Sequence, residues 1–91
     1  MPPTNRPPTH PGDILFAEFL EPMGISQQAL ADQLGVPIQR INTLVNGKRG
    51  VTPETAILLA RFFETSPEFW MNLQTQHDLW MARRALAARE K

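Results

Sequence analysis

The sequence predicts an all-α domain of five helices, and three observations point to this class. Apolar residues recur every three or four positions in five segments, which is the spacing of one helix face. Prolines, glycines and capping residues separate the five segments. No stretch alternates apolar and polar residues for long enough to form a sheet strand. With 91 residues, of which 42% are hydrophobic, the chain suffices for one domain with tails.

The composition excludes several classes of function. The chain has no cysteine and only two histidines, so disulfides, zinc–thiolate sites and histidine-rich metal sites are excluded and no cofactor is expected. No apolar run approaches the roughly 20 residues of a membrane span. The N-terminus is not followed by the apolar segment of a signal peptide. We therefore expect a cytoplasmic protein with no membrane partner.

Prolines also indicate how the chain is divided. Five of the nine prolines fall in MPPTNRPPTHP, residues 1–11, which have no helical periodicity and predict a Pro-rich N-terminal arm. A proline-rich ligand for a partner domain is the alternative interpretation of this arm. Residues 12–76 are expected to form the helix-turn-helix domain described below, and residues 77–91 a C-terminal helical extension.

The first two predicted helices are short. The first covers 13–21, with Pro22 and Gly24 as its stop signals. Ser26 caps the second, over 27–34, and Gly35 ends it because a left-handed backbone costs little only without a Cβ atom. The apolar residues lie on one face of each helix: Ile14, Leu15, Phe19 and Leu20 in the first, and Leu30, Ala31 and Leu34 in the second.

Each of the remaining three helices is predicted to start near a proline. Pro37 suits the first turn of the third helix, because its missing N–H would have no partner there. The triplet Thr52-Pro53-Glu54 starts a fourth helix over 53–64, and Ser66-Pro67-Glu68 repeats the signal for the fifth. The fifth helix is predicted to continue towards the C-terminus with a break near 75–78.

The second and third helices carry the informative spacing. Counting from Gln27, Ala31 follows after four residues, Gly35 after eight and Ile41 after fourteen. Ala31 suits a close helix crossing, Gly35 suits the turn, and Ile41 suits the shared core. This spacing predicts a helix-turn-helix, a motif that places its second helix in the major groove of DNA. A plain αα-hairpin within a helical bundle is the alternative.

Longer stretches resemble a known family. LADQLGVPIQRINTLVNGKRGVTPETA is similar to the repressor-type helix-turn-helix of the XRE family, and HPGDILFAEFLEPMGIS, LLARFF and TSPEFWMNLQTQHDL resemble the HigA (VapI-like) antitoxins. The resemblance implies a lambda-repressor-type fold. It implies a DNA-binding antitoxin that represses its own operon as a homodimer. The implied partner is a HigB-type ribonuclease toxin, which cleaves mRNA.

Three positions depart from the pattern of that family. Glu64 stands where the family usually has glycine, so the fourth helix must end without its usual cap. Leu58 and Phe62 replace what is commonly a basic residue and a more polar one. These two changes enlarge the apolar surface of the fourth helix.

The outward face of the third helix predicts contacts with DNA. Arginine suits guanine, glutamine and asparagine suit adenine, and apolar groups suit the thymine methyl. The candidates for reading bases are Ile38, Gln39, Arg40, Asn42 and Thr43. The candidates for binding phosphate are Gln27, Gln28, Asn46, Lys48 and Arg49. For any single one of them, solvation of an exposed helix face is the alternative.

The charge pattern favours the same face. The net charge is zero, which on its own argues against nucleic-acid binding. Residues 33–53, however, contain three basic and no acidic residues, whereas 1–32 and 54–78 each sum to −3. A neutral chain with this distribution presents a locally positive face at the third helix.

The last third of the chain predicts a homodimer. One reading helix covers too few base pairs to select one operator, and repressors of this class meet the need by two-fold symmetry on a palindromic operator. Apolar residues beyond the needs of one small core supply the interface. The candidate interface residues are Leu58, Phe62, Trp70, Leu79, Trp80 and Leu86. Trp70 is also expected, with Phe69 and Leu73, to seal the core.

Two alternatives to the antitoxin remain at this point. One is a stand-alone XRE-family regulator without a toxin, and the other is a helical adaptor that binds protein and never DNA. An enzyme is not expected, because His77 and Asp78 are helix neighbours whose side chains diverge by about 100°. The sequence also lacks a phosphate-binding glycine loop.

Overall fold

A computed structural model describes residues 9–90 and contains five helices in this range. The first, α1, is an α-helix over Pro11–Ile14, a π-helix over Leu15–Leu20 and an α-helical turn over Glu21–Met23. The others are α2 over Gln27–Leu34, α3 over Ile38–Val45, α4 over Pro53–Phe63 and α5 over Pro67–Arg89. Residues 9–90 contain no strand, so the predicted all-α fold is confirmed. Most of the predicted arm, residues 1–8, lies outside the described residues.

The first helix is longer than predicted at both ends. His10, assigned to the arm, is the N-cap of α1, and Pro11 is buried, so the folded part begins before residue 12. At its other end α1 continues past Pro22, the first predicted stop, and ends at the second, Gly24, which has a left-handed backbone with φ of 66°. A proline ring crowds the carbonyl group four residues earlier in a regular α-helix. We attribute the continuation to the wider π-helical turns that precede Pro22.

The cap of α1 depends on a neutral histidine. Nδ1 of His10 accepts a hydrogen bond from the amide of Gly12 at 2.9 Å. The ring packs edge-on against His77 of α5, with 4.9 Å between the ring centroids. Burial of the ring and, to a smaller extent, the neighbouring His77 lower the pKa of His10. Asp13 and Asp78 act in the opposite direction but do not outweigh them. The lowered pKa favours the neutral ring that can act as the acceptor.

The second and third helices form the predicted helix-turn-helix. The Ser26 hydroxyl accepts a hydrogen bond from the amide of Ala29 at 3.0 Å and caps α2. Gly35 ends α2 with φ of 70°, and the amide of Val36 then donates to the carbonyl of Ala31 at 3.0 Å. Pro37 is the extended N-cap of α3 rather than a member of its first turn, so the predicted role of Pro37 shifts by one residue.

All five helices contribute to one core. The buried core comprises Leu15, Leu20, Leu30, Ala31, Ile41, Leu44, Val51, Ala56, Leu59, Ala60 and Trp70. Leu34, Val45 and Leu73 are partly buried and pack on its edge. The helical periodicity therefore predicted the core faces correctly.

Trp70 is the largest residue of the core. It is 0% exposed, its ring centroid lies 5.3 Å from that of Phe19, and its Nε1 donates to the Thr65 hydroxyl at 2.8 Å. Phe69 packs edge-on against it but remains 38% exposed. The prediction that Trp70 seals the core is confirmed. Its prediction as a dimer-interface residue is wrong, because no surface of Trp70 is left for a second chain.

The N-terminus of α1 lies directly against the end of α3. A Cβ atom on Gly12 would overlap the carbonyl group of Leu44 and lie 3.0 Å from Cα of Val45. Only glycine permits this approach of two backbones. Gly12 thereby allows the end of α3 to pack directly against the start of α1.

The fifth helix is continuous. The predicted break at 75–78 does not occur, because α5 runs through this stretch as one helix of 23 residues, about 35 Å long. Asp78 accepts a hydrogen bond from Gln74, one turn earlier, at 2.8 Å. All residues from 81 to 90 are exposed, so the last part of α5 projects from the domain.

Glu64 takes the left-handed backbone conformation of a helix cap although it is not a glycine. It ends α4 with φ of 57° and ψ of 43° and is the one non-glycine residue with positive φ within residues 9–90. A left-handed backbone costs a residue with a Cβ atom about 1–2 kcal/mol. Its carboxylate also lies at the negative end of the α4 dipole.

We predict that Glu64→Gly stabilises the protein relative to Glu64→Ala by about 1 kcal/mol, because only glycine removes the backbone cost. Both variants lose the Glu64 carboxylate, so the difference in stability between them reports the backbone conformation without any contribution from the charge. Urea unfolding followed by circular dichroism measures the difference. Equal stability of the two variants would show that this backbone carries no strain.

Candidate nucleic-acid interface

The second helix of the motif, α3, is buried on one side and exposed on the other. Ile41 and Leu44 are 0% and 1% exposed and pack on the core. The predicted contact residues that point outward are exposed: Gln39, Asn42, Asn46, Lys48 and Arg49. Since these side chains follow one face and the loop after it, the structure brings them together on one surface.

Three predicted residues of α3 are only partly exposed. Ile38 packs on the edge of the core, so at most part of its side chain is available to a thymine methyl. The hydroxyl of Thr43 donates to the carbonyl of Gln39 at 2.7 Å, which engages the hydroxyl within the helix. Arg40 lies at the junction with α4, where its guanidinium meets the carboxylate of Glu54.

A chain of side-chain amides links α2 to α3. Nδ2 of Asn42 donates to Oε1 of Gln27 at 3.3 Å, and Nδ2 of Asn46 donates to Oδ1 of Asn42 at 3.2 Å. The two bonds fix the plane of the Asn42 amide before any DNA is bound. Gln28 stands apart from this chain and donates to Asp32, one turn later, at 2.9 Å.

The loop after α3 is held at two points. The amides of Lys48 and Arg49 both donate to the carbonyl of Thr43, at 2.9 and 3.2 Å. Further along, the amide of Val51 donates to Oε1 of Gln74 at 2.7 Å. These bonds place two exposed basic side chains at the end of α3, as a phosphate-binding loop requires.

Gln74 is a functional position that the sequence analysis missed. It lies 23 residues beyond Val51, and its side chain touches the loop so closely that a Cβ atom on Gly50 would lie 2.8 Å from it. A lone polar residue on a helix gives no signal in the sequence for such a long-range contact. The glycine at position 50 is consistent with this close approach.

A shallow cleft lies between α3 and this loop. It has a volume of about 230 Å³ and is lined by Pro37, Gln39, Arg40, Thr43 and Arg49. Two guanidinium groups therefore border the same cleft. Arg49 is exposed at this cleft, whereas the guanidinium of Arg40 is paired with the carboxylate of Glu54.

The predicted dimer residues lie in two separate places. Leu58 and Phe62 are half-buried on α4 and, with Gln33, Leu34 and Arg61, line an open groove of about 300 Å³. Leu79 and Leu86 of α5 are 41% and 51% exposed. Trp80 is half-buried beneath the guanidinium of Arg84, which lies 5.2 Å from the ring centroid.

Residues 9–90 contain no group of metal ligands, no membrane-spanning helix and no hydrogen-bonded His77–Asp78 pair. Within 9–90, no three histidine or acidic side chains are grouped as metal ligands would be. No helix in the same range is both long and apolar enough to cross a membrane. Nδ1 of His77 and Oδ1 of Asp78 are 3.8 Å apart, too far for a hydrogen bond.

Comparisons with known proteins agree with this geometry. The family model Helix-turn-helix matches residues 16–70. Antitoxin HigA-1 of Vibrio cholerae is 47% identical over 81 residues, which are 88% of this chain and 75% of that protein. The structure of Pseudomonas aeruginosa antitoxin HigA with the higBA promoter has a TM-score of 0.87 at 43% identity and covers 92% of this chain and 91% of its own. Antitoxin GraA in complex with its operator has a TM-score of 0.86 at 39% identity, with 98% and 89% covered.

The fold, the polar face of α3 and the match over 16–70 define a DNA-binding helix-turn-helix protein. The chain belongs to the helix-turn-helix family and, within it, to the HigA antitoxins, as its resemblance to them implied. Members of this family bind DNA and are not enzymes. The plain αα-hairpin and the protein-binding adaptor are thereby set aside.

We predict that Gln74→Leu loosens the loop after α3. The substitution keeps the size of the side chain but removes the acceptor for the Val51 amide, which lowers the free energy of unfolding by about 1–3 kcal/mol. Hydrogen exchange at the Val51 amide should become faster than in the wild type. Gln76→Leu, at an exposed position of the same helix, is the control. Unchanged exchange at Val51 in the first variant would contradict the anchoring role.

Proposed function

We propose that this protein represses its own operon as a homodimer on a palindromic operator and neutralises a HigB-type ribonuclease toxin in the cytoplasm. The observation that carries the proposal is the exposed face of α3. The amide side chains of Gln39, Asn42 and Asn46 lie on this face, and Lys48 and Arg49 follow in the loop after it. Two similar antitoxins form complexes with DNA: HigA of Pseudomonas aeruginosa with the higBA promoter, and GraA with its operator. The toxin is supported by the likeness to antitoxins such as HigA-1.

Within this proposal the residues divide into two roles. Gln39, Arg40 and Asn42 read base edges, with Ile38 and Thr43 contributing apolar contacts to thymine. The phosphate contacts come from both sides of α3: Gln27, Gln28, Asn46, Lys48 and Arg49. The amide chain from α2 supports this division, because Gln27 holds the Asn42 amide in one orientation while lying at the N-terminus of α2.

The homodimer is supported by exposed apolar side chains in the second half of α5. Leu79 and Leu86 are seven residues apart, so they lie on one face of the helix beyond the core. Two-fold repressors space their reading helices by about 34–36 Å, and a rigid helix of 23 residues is suited to hold such a spacing. Leu58, Phe62 and Trp80 remain the further candidates for this interface.

The toxin is tested by genetics and co-purification. We expect a reading frame for a small ribonuclease next to the gene of this protein. Co-expression of the two products should yield a stable complex and relieve the growth arrest that the toxin alone causes. A protein that binds its operator but has no such neighbour would instead be a stand-alone regulator.

We predict that Lys48→Ala with Arg49→Ala weakens binding to all DNA sequences alike. Each lost phosphate contact reduces the slope of log affinity against log salt by about 0.9. Asn42→Ala should instead cost about 1–3 kcal/mol at particular base pairs only. Fluorescence anisotropy with the DNA upstream of the gene, titrated over a range of salt, measures both effects. Arg89→Ala with Lys91→Ala removes the same charge from the C-terminal end of the chain, beyond the proposed interface residues, and should leave the slope unchanged.

We predict that Trp80→Asp with Leu86→Asp produces a monomer that retains its helical content but loses tight binding to the palindrome. Truncation after residue 73 is a poorer test, because it also removes Gln74 from the loop. Ala85→Asp with Ala88→Asp introduces the same charge at other exposed positions of α5 and should remain dimeric. Light scattering and a binding titration on the same samples decide the matter. A double variant that stays dimeric would place the interface elsewhere, with Leu58 and Phe62 as the next candidates.

A further inference from the structure

We infer that Glu54 is a positioning residue that sets DNA specificity through Arg40, an inference that rests on the proposed function. Glu54 holds one edge of the Arg40 guanidinium at the start of α4. This contact directs the remaining N–H groups of Arg40 to a base edge. It also prevents Arg40 from acting as a general phosphate contact on any sequence.

The geometry of the pair is well defined. Nη1 of Arg40 donates to Oε1 of Glu54 at 2.9 Å. The carboxylate is carried by the first turn of α4, where the Thr52 hydroxyl accepts a hydrogen bond from the amide of Thr55 and caps the helix. Glu54 is therefore fixed to a capped helix end, while Arg40 projects from the helix that reads DNA.

The planar guanidinium explains why one contact is enough to orient the whole group. Arginine has five N–H donors in a fixed plane, so holding Nη1 also sets the direction of the other donors. A guanine offers two acceptors, O6 and N7, that match a pair of such donors. Arg40 held in this way remains able to read guanine.

The charge balance of the interface points in the same direction. Arg40, Lys48 and Arg49 are the three basic residues of 33–53, and Glu54 neutralises the first of them. Non-specific affinity depends on the number of cations that contact phosphates. The pair therefore lowers non-specific binding, although with side-chain exposures of 32% and 74% it is screened by water and adds little to folding.

The chain provides a matched control for Glu54. Glu68 occupies the same position in α5, after a Ser66-Pro67 start that matches Thr52-Pro53 of α4. Both glutamates lie in the first turn of a capped helix, so a glutamine in either place removes the same charge from the same end of a helix dipole. Only Glu54 forms an ion pair with a residue of α3.

The test compares Glu54→Gln with Glu68→Gln on two DNA duplexes of equal length. One duplex carries the palindrome upstream of the gene, and the other has an unrelated sequence. At about 0.1 M salt, Glu54→Gln should bind the unrelated duplex about tenfold more tightly, with a salt slope steeper by about 0.9 per subunit. Binding to the operator should gain less than about threefold, so the ratio of the two affinities falls. Glu68→Gln should match the wild type on both.

A double-mutant cycle shows whether Glu54 acts through Arg40. In the Arg40→Gln background, Glu54→Gln should leave the affinity for unrelated DNA unchanged. A persisting gain would mean that Glu54 simply repels phosphates, which overturns the inference. Equal behaviour of Glu54→Gln and Glu68→Gln, or an equal gain on both duplexes, would also overturn it. If the wild type itself fails to prefer the operator, the proposed function is at fault instead.

Discussion

The candidate DNA interface depends on the burial of the opposite side of α3 in the core. A helix of eight residues is too short to be stable alone in water, so its conformation comes from packing. Ile41 and Leu44 enter the core next to Ala31 of α2, and Gly12 lets the backbone of α1 lie against the end of α3. Both contacts require a small residue on the partner helix. Because its apolar face is held in the core, α3 cannot rotate about its axis, and its polar face remains exposed to solvent.

Local sequence signals predicted most of the fold, but they could not predict contacts between residues far apart in the sequence. Ser26, Gly35 and the two proline starts each act within a few residues, so α2, α4 and the turn were found from sequence. Gln74 and Glu54 were missed, because each owes its role to a contact with a residue 23 or 14 positions away. The predicted break in α5 failed for a related reason. Its stretch 74–78 contains no apolar residue, yet the helix continues there, with Gln74 donating to Asp78 and accepting from the Val51 amide in the loop.

The fifth helix connects three parts of the molecule that the sequence presents as separate. Trp70 anchors it in the core, Gln74 holds the loop that carries Lys48 and Arg49, and Leu86 is exposed near its end. All three parts belong to one helix, which is unbroken from Pro67 to Arg89. A contact made by the exposed end of α5 therefore acts on the same rigid element that positions the basic loop. The proposed dimer and the proposed phosphate contacts are mechanically linked through Gln74.

The neutral net charge of the chain has a functional consequence at this interface. A strongly basic protein binds any DNA by release of counterions, and that contribution carries no sequence information. Here the segment 33–53 contributes three cations per chain, and one of them is paired with Glu54. In the proposed complex, base contacts from α3 then account for a larger share of the total affinity. Segments 1–32 and 54–78 each sum to −3, so their surfaces disfavour contact with DNA.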